Sequence, residues 1–427
     1  MDAIKYTINN LDVYHIQTKK FKTIVAGIVF TSVLTKQYLA EKVLLSSMLV
    51  KTCEKFPKEQ DYLKYLRDKY DTNIFADVSK RGKTLQVMFG SNIVNAKFLN
   101  EKIDLFQDTL EILKNTLLNP YLIDGNFSSD LLNEEKNLLI DEIKTQYSNN
   151  RLQAIVGLIE NMFKNEEYQI YSGLKIEDVE KVTVETLTKA YYELLKDNAY
   201  CFVIGDVEKR TIGQVFGEYS AFKTINTAFE YIDYEDKIIE QVNEVIVEKS
   251  TNQSVVVFGY RTNIRLFDEY YYPMCVFNGM LGGFFHSKLT TIIREEEGLA
   301  YYILSEYASQ KGYLTITSGI NFYDYNQVKE KVLSIVEDFK NGLIDENILL
   351  ATKETIVNGI LESDDSFLGL LNDVYRKAEY PSRLLDLKTR IDKINEVKLE
   401  DIIVVANALV LDTIFVLKGC VSNEEVL

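Results

Sequence analysis

LGGFFHSKLTTIIREEEGLAYY, Leu281 to Tyr302, is the most informative run of this sequence. Its adjacent glycines predict a tight turn, Ser287 to Glu297 a short helix, and Gly298 a break into a strand bearing Tyr301. It stands in the C-terminal half of a 427-residue chain, too long for one typical core and suited to two or three domains.

Around it the C-terminal half reads as a fixed order of elements. Strand Ser254 to Tyr260 precedes a helix near Tyr271 to Met280, then the helix carrying Arg294. Alternating segments follow at Tyr301 to Ser309 and Tyr313 to Gly319. Helices come next near Asn326 to Phe339, Glu346 to Ser363, Phe367 to Tyr380 and Lys398 to Leu409, and Thr413 to Lys418 closes the half as a strand. The N-terminal half runs in the same order. Strand Thr23 to Phe30 leads to helices at Tyr38 to Phe56 and Asp61 to Tyr70, then alternating segments at Ile74 to Lys80 and Thr84 to Gly90. Helical stretches at Phe98 to Leu118, Asp130 to Phe163 and Thr183 to Lys196 precede strand Ala199 to Ile204.

Local echoes point to duplication. YLRDKYDTNIFADVSKRGKTLQVMFG parallels IIREEEGLAYYILSEYASQKGYLTITSG, and KVTVETLTKAYYELLKDNAYCFVIG parallels KINEVKLEDIIVVANALVLDTIFVLKG. The expected class is α+β: two tandem domains, each a mainly antiparallel sheet covered by helices on one face. The expected division is 1–215, a connector over 216–245, and 246–427. The whole stretch from Glu208 to Glu248 reads as charged and irregular.

Composition narrows the partners. Lys and Arg number 48 against 64 Asp and Glu, and the net charge of −16 argues against nucleic acid or anionic lipid. No run of about 18 apolar residues suggests a membrane span, and no apolar run behind the first lysines suggests a signal peptide. The four cysteines, Cys53, Cys201, Cys275 and Cys420, form no C-x-x-C, so a reduced, cytoplasmic setting is expected. His15 reads as a surface or strand-end residue, and His286 as structural.

The glycine turn, the S-K-L, the acidic run and G-L-A-Y together resemble the C-terminal-domain signature of the pitrilysin-type zinc peptidases, or inverzincins. The resemblance covers essentially the whole chain and implies a mitochondrial-processing-peptidase-like fold of tandem homologous domains. Active members carry H-x-x-E-H on a helix: two His bind zinc and the Glu serves as general base. Here the matching helix reads YLAEKVLLSSMLVKT, and anchoring on MLVKT puts the three positions at Val43, Ser46 and Ser47. Valine cannot ligate, and a neutral serine hydroxyl is a poor zinc ligand and a weak base. Glu135 and Glu142, in LLNEEKNLLIDEIK, match the spaced glutamates that support zinc in active relatives, with Glu142 at the distal-ligand position. No metal or other cofactor is expected in this chain.

The resemblance gives Arg294 and Tyr301 a role in trans. In heterodimers of this family one subunit supplies zinc and the base, while the C-terminal domain of the other supplies an Arg/Tyr pair. Attack by zinc-bound hydroxide puts negative charge on the peptide carbonyl oxygen, which guanidinium and phenol donors stabilise. The H-S-K-L points to the bacterial branch whose non-catalytic chain pairs with an H-x-x-E-H chain to process peptides. The implied partners are that zinc-carrying subunit and a peptide substrate, which an open sheet edge would hold by β-augmentation. Two alternatives stay open: a peptide-binding or scaffold protein without hydrolysis, and an independent hydrolase with an unorthodox metal site.

Overall fold

The computed structural model describes residues 3–101, 103–225 and 237–420. Two sheets organise them. The first holds β1 (Ile4–Ile8), β2 (Leu11–Gln17), β3 (Thr23–Val33), β4 (Asn73–Arg81), β5 (Thr84–Val94) and β6 (Asn198–Gly205), in the order β1-β2-β6-β3-β5-β4. The second holds β7 (Asn243–Lys249), β8 (Ser254–Arg261), β9 (Ala300–Ala308), β10 (Tyr313–Ile320) and β11 (Val410–Gly419), in the order β7-β11-β8-β10-β9. Without β1, the first order maps strand for strand onto the second. The parallel pair also recurs in the same place, β2 beside β6 and β7 beside β11, with the other neighbours antiparallel. The α+β duplication read from the sequence is therefore present at the level of topology.

Alternation along the strands makes the cores. Ile24, Ala26, Ile28 and Phe30 of β3 pack with Leu44, Leu45 and Met48 of helix Leu39–Leu49 and with Leu110 and Leu113 of helix Leu105–Leu118. In the second sheet Val256, Phe258 and Tyr260 meet Met274 and Phe277 of helix Tyr271–Asn278 and Val332 and Ile335 of helix Tyr325–Lys340. Each fully buried side chain of this kind contributes about 1.5–3 kcal/mol of transfer free energy.

The opposite face of each sheet takes one helix from the other half of the chain. Val25, Val29, Tyr14 and Phe202 pack with Leu370 and Val374 of helix Phe367–Glu379. In the second sheet helix Asn150–Met162 lies so close that a Cβ on Gly157 would meet the Phe415 ring at 2.3 Å. The compact units follow this exchange: Met1–Ile143, Leu174–Ile232 and Glu362–Leu384 form one, and Lys144–Gly173, Asp233–Leu361 and Leu385–Leu427 the other.

Three sequence expectations need correction. The stretch from Glu208 to Glu248 is not irregular throughout, since it holds helix Lys209–Gly217 and most of β7. Part of the expected connector, 216–245, lies outside the described residues. His15 is not a surface residue: it sits within β2 and is 2% exposed. The long helix expected from Asp130 to Phe163 is two, Ser129–Ser148 and Asn150–Met162, because the Asn149 side chain accepts the Leu152 N–H at 3.1 Å and restarts the helix. Among the described residues no helix is long and apolar enough to cross a membrane.

Beneath helix Phe367–Glu379, Glu379 is buried against Arg81, whose Nε lies 3.2 Å away, and accepts a hydrogen bond from Gln86. Burial pushes its carboxyl up to about 7, against the pull of Arg81. The folded value lies above the unfolded one, so this group's contribution is complete below the unfolded pKa of about 4.3 and declines as pH rises towards 7. Glu379→Gln should therefore raise the urea midpoint at pH 8 relative to the parent and lose that advantage at pH 4.5. An identical shift at both pH values would contradict the assignment.

Candidate active-site segment

The segment from Tyr271 to Ala308 folds around one close approach. Helix Tyr271–Asn278 runs into a π-helical turn, Gly279–Gly283, that packs directly on β9. A Cβ on Gly282 would meet the Ser305 backbone nitrogen at 2.7 Å, so only glycine lets the turn sit there. Ser305 Oγ locks the contact by donating to Asn278 Oδ1 at 2.8 Å.

The H-S-K-L that follows is spent on structure. His286 Nε2 pairs with Thr352 Oγ1 at 3.0 Å, and its ring stacks on Phe284. Buried Ser287 donates to Thr290 Oγ1 at 3.0 Å. Lys288 Nζ reaches Asp338 at 3.0 Å and the Leu343 carbonyl at 2.9 Å, pinning the segment to helix Tyr325–Lys340. Leu289 and Ile293 are fully buried. Just before this H-S-K-L, Phe285 is 88% exposed, a residue without a signal in the sequence pattern.

Arg294 lies in the last turn of a second π-helix, Thr290–Glu296. A cation there suits the negative end of the helix dipole. The helix closes through the Glu297 N–H to the Ile292 carbonyl at 3.0 Å and the Leu299 N–H to the Ile293 carbonyl at 2.9 Å. Gly298, with φ +65°, makes that closure, as Asp71 (φ 55°) does at the matching point of the first half. The Arg294 side chain is 40% exposed, and its Nε lies 3.4 Å from Glu295 Oε1.

Tyr301 is the extra residue of a β-bulge. Tyr302 pairs with Gly319 and Ala300 with Ile320, which leaves Tyr301 opposite no partner. The bulge changes the phase of β9: Ala300 and Ile303 join the helix-side core, while Tyr302 and Leu304 line a cleft on the other face. Tyr301 is 67% exposed, so it is not a core tyrosine, and among the described residues its hydroxyl has no hydrogen-bond partner. No hydrogen bond joins Arg294 to Tyr301. What they share is placement: both are exposed, and each stands at a backbone irregularity of the kind that re-aims side chains at functional sites.

The degenerate metal positions lie in the first unit, on helix Leu39–Leu49. Ser46 Oγ donates to the Val43 carbonyl at 2.7 Å and Ser47 Oγ to the Leu44 carbonyl at 2.9 Å, so both hydroxyls turn back into their own helix. Glu135 is buried, 4% exposed, and holds Lys51 Nζ at 2.6 Å. Burial opposes the Lys51 charge, but the bond to Glu135 prevails and holds the ammonium above the usual lysine range. Glu142, seven residues further along helix Ser129–Ser148, is exposed. Valine and two internally bonded hydroxyls leave Glu142 as the single carboxylate at these positions, which does not fit a zinc ion. Among the described residues, no group of three or more His, Cys, Asp or Glu could hold a metal.

The fold is two α+β units of matching topology, and Val43, Ser46 and Ser47 offer no zinc ligand. Comparison with known proteins agrees with both points. The family model "Peptidase M16 inactive domain" matches residues 181–356. A "probable inactive metalloprotease" of Bacillus subtilis, YmfF, is 31% identical over 98% of both chains. An "uncharacterized zinc protease" of the same organism, YmxG, is 25% identical over 57% of this chain and 59% of its own length. The crystal structure of a conserved protein from Enterococcus faecalis superposes with a TM-score of 0.93 at 27% identity, covering 99% of this chain and 100% of that one. The chain belongs to the M16 peptidase family, and it is one of the family's inactive members.

Proposed function

We propose that this chain is the non-catalytic subunit of a heterodimeric, cytoplasmic zinc peptidase. It binds an extended peptide and presents Arg294 and Tyr301 to the scissile carbonyl, while a homologous H-x-x-E-H subunit brings zinc and the general base. The observation that carries this reading is the contrast between the two units. Arg294 and Tyr301 are exposed at a π-helix and a bulge, whereas the zinc-motif positions of the same chain are filled by Val43, Ser46 and Ser47. An exposed guanidinium and an exposed phenol beside an open strand edge suit groups presented to a bound peptide. β9 ends its sheet and, among the described residues, has no strand beyond it. The family also contains chains named zinc proteases, such as the YmxG relative, which are the type of partner required.

Affinity capture of the chain from its native cells, followed by mass spectrometry, tests the pairing. An H-x-x-E-H protein of similar size should copurify in equal amount. Recovery of the chain alone, or with unrelated proteins only, would favour a peptide-binding protein without hydrolysis.

A further inference from the structure

An open cleft of about 350 Å³ lies on the face of β9 that helix Asn150–Met162 begins too late to cover. Its floor is Val255, Leu304 and the Tyr302 ring. Its rim carries Arg151 and Gln253. The floor is built around a missing side chain: a Cβ on Gly319 would strike the Tyr302 ring at 2.3 Å and the Gln253 amide nitrogen at 2.7 Å. Glycine there lets the ring and the amide lie side by side against the sheet.

Of the polar residues lining the cleft, Ser148 Oγ donates to the Thr145 carbonyl and Asn150 Nδ2 to Thr251 Oγ1, while Tyr302, Gln253 and Arg151 have donors to spare. Among the described residues, neither the Tyr302 hydroxyl nor the Gln253 amide has a side-chain hydrogen bond, and burial of Tyr302 raises its pKa and keeps its proton on. Arg151 uses one terminal nitrogen on Glu306 Oε2 at 3.1 Å, which holds the guanidinium in place and leaves its other N–H groups available. Helix energetics do not explain an arginine in the first turn, where the dipole disfavours a cation. Surplus donors around a half-apolar hollow call for an acceptor-rich group.

Position supplies the rest. The cleft begins at Tyr302, the residue after Tyr301, and runs with β9 through Leu304. A peptide laid along the open edge of β9 places alternate side chains on this face, about 6–7 Å apart. We propose that the cleft is a specificity subsite for a carboxylate side chain, Asp or Glu, on a peptide residue within about two positions of the held carbonyl. The inference rests on the peptide-binding part of the reading above and not on the zinc partner.

The test uses the full-length chain alone, read by fluorescence anisotropy. The probes are three pools of labelled, acetylated nonapeptides, random except for a central Asp, Asn or Lys. The Asp pool should bind about 10-fold more tightly than either of the others, as a charge-assisted hydrogen bond at a half-exposed site provides. Arg151→Gln should abolish that preference while leaving the Lys pool unchanged, and Tyr302→Phe should reduce it. Equal binding of all pools, or a preference that survives Arg151→Gln, overturns the subsite and leaves peptide binding intact. No binding of any pool overturns both. A preference found in a chain that has no peptidase partner would keep the subsite and remove the split-enzyme reading.

Discussion

A complex of this chain with its H-x-x-E-H partner should lose peptide cleavage when Arg294→Ala and Tyr301→Phe are introduced together. On the proposed role, each change removes a donor to the oxygen on which charge develops, and loss of one such donor typically lowers the rate on the order of 10²-fold or more. The loss should fall mainly on kcat, because the charge exists in the transition state and not in the bound peptide. The singles should each be severe, and the double variant less than additive if the two donors act on one oxygen. Stability should hardly change, since Arg294 and Tyr301 are exposed and neither carries a buried contact. Unaltered cleavage by the double variant, with the complex intact, would remove the in-trans role.

The second large effect concerns the anchoring of helix Asn150–Met162. Buried Arg261 on β8 donates from Nε to Asp412 at 2.6 Å, from a terminal nitrogen to Glu166 at 2.6 Å and to the Met162 carbonyl at 3.0 Å. Lys311 Nζ approaches Glu166 at 3.4 Å, and both cations lie over the Phe163 ring. Asp412 is the extra residue of a bulge in β11, set between Leu411 and Thr413, so the ladder is interrupted where the ion pair forms. Arg261→Met keeps much of the volume but strands Asp412, which is 5% exposed, and halves the pairing of Glu166. Removing one member of a buried ion cluster is destabilising by about 3–5 kcal/mol, because the remaining charge stays desolvated. The urea midpoint, followed by circular dichroism since the chain has no tryptophan, should fall by about 1 M. A midpoint equal to the parent's would mean that water reaches Asp412 once the arginine is gone.

Much of this architecture is written locally. The runs read as β3, β5, β6, β8, β10 and β11 are apolar and bounded by turn residues, and each is a strand. The echo between YLRDKYD and IIREEEG became a shared turn, closed by Asp71 in one half and Gly298 in the other. What was missed had two causes. Some signals were present and passed over: Asn9 and Asn10, both with positive φ (51° and 66°), make the hairpin turn between β1 and β2. Ile212, Val215 and Phe216 carry the helical spacing of Lys209–Gly217. β7 was hidden by its exposure, because NEVIVEK is an edge strand with charged residues on both faces.

Other features have no local signature. The exchange of helices Asn150–Met162 and Phe367–Glu379 between the halves of the chain is a tertiary outcome, legible only afterwards in glycines such as Gly157. The same holds for the site. The motif named Arg294 and Tyr301, and it disqualified Val43, Ser46 and Ser47. It could not show that Tyr301 is an unpaired bulge residue, or that the turn carrying Arg294 is π-helical, since both depend on how β9 meets β10 and the glycine turn. Glu135 shares a helix face with Glu142 in the sequence, yet only packing decides that one is buried on Lys51 and the other is exposed.

On the proposed role this chain supplies carbonyl donors, in trans, to a peptidase site whose zinc and base belong to the partner. Peptide cleavage by the purified H-x-x-E-H partner, measured with and without an equal amount of this chain, tests it most directly. Neither chain alone should cleave, the mixture should cleave until a zinc chelator is added, and cleavage should be absent when the added chain carries Arg294→Ala and Tyr301→Phe. A partner that cleaves the same peptide at the same rate without this chain would contradict it.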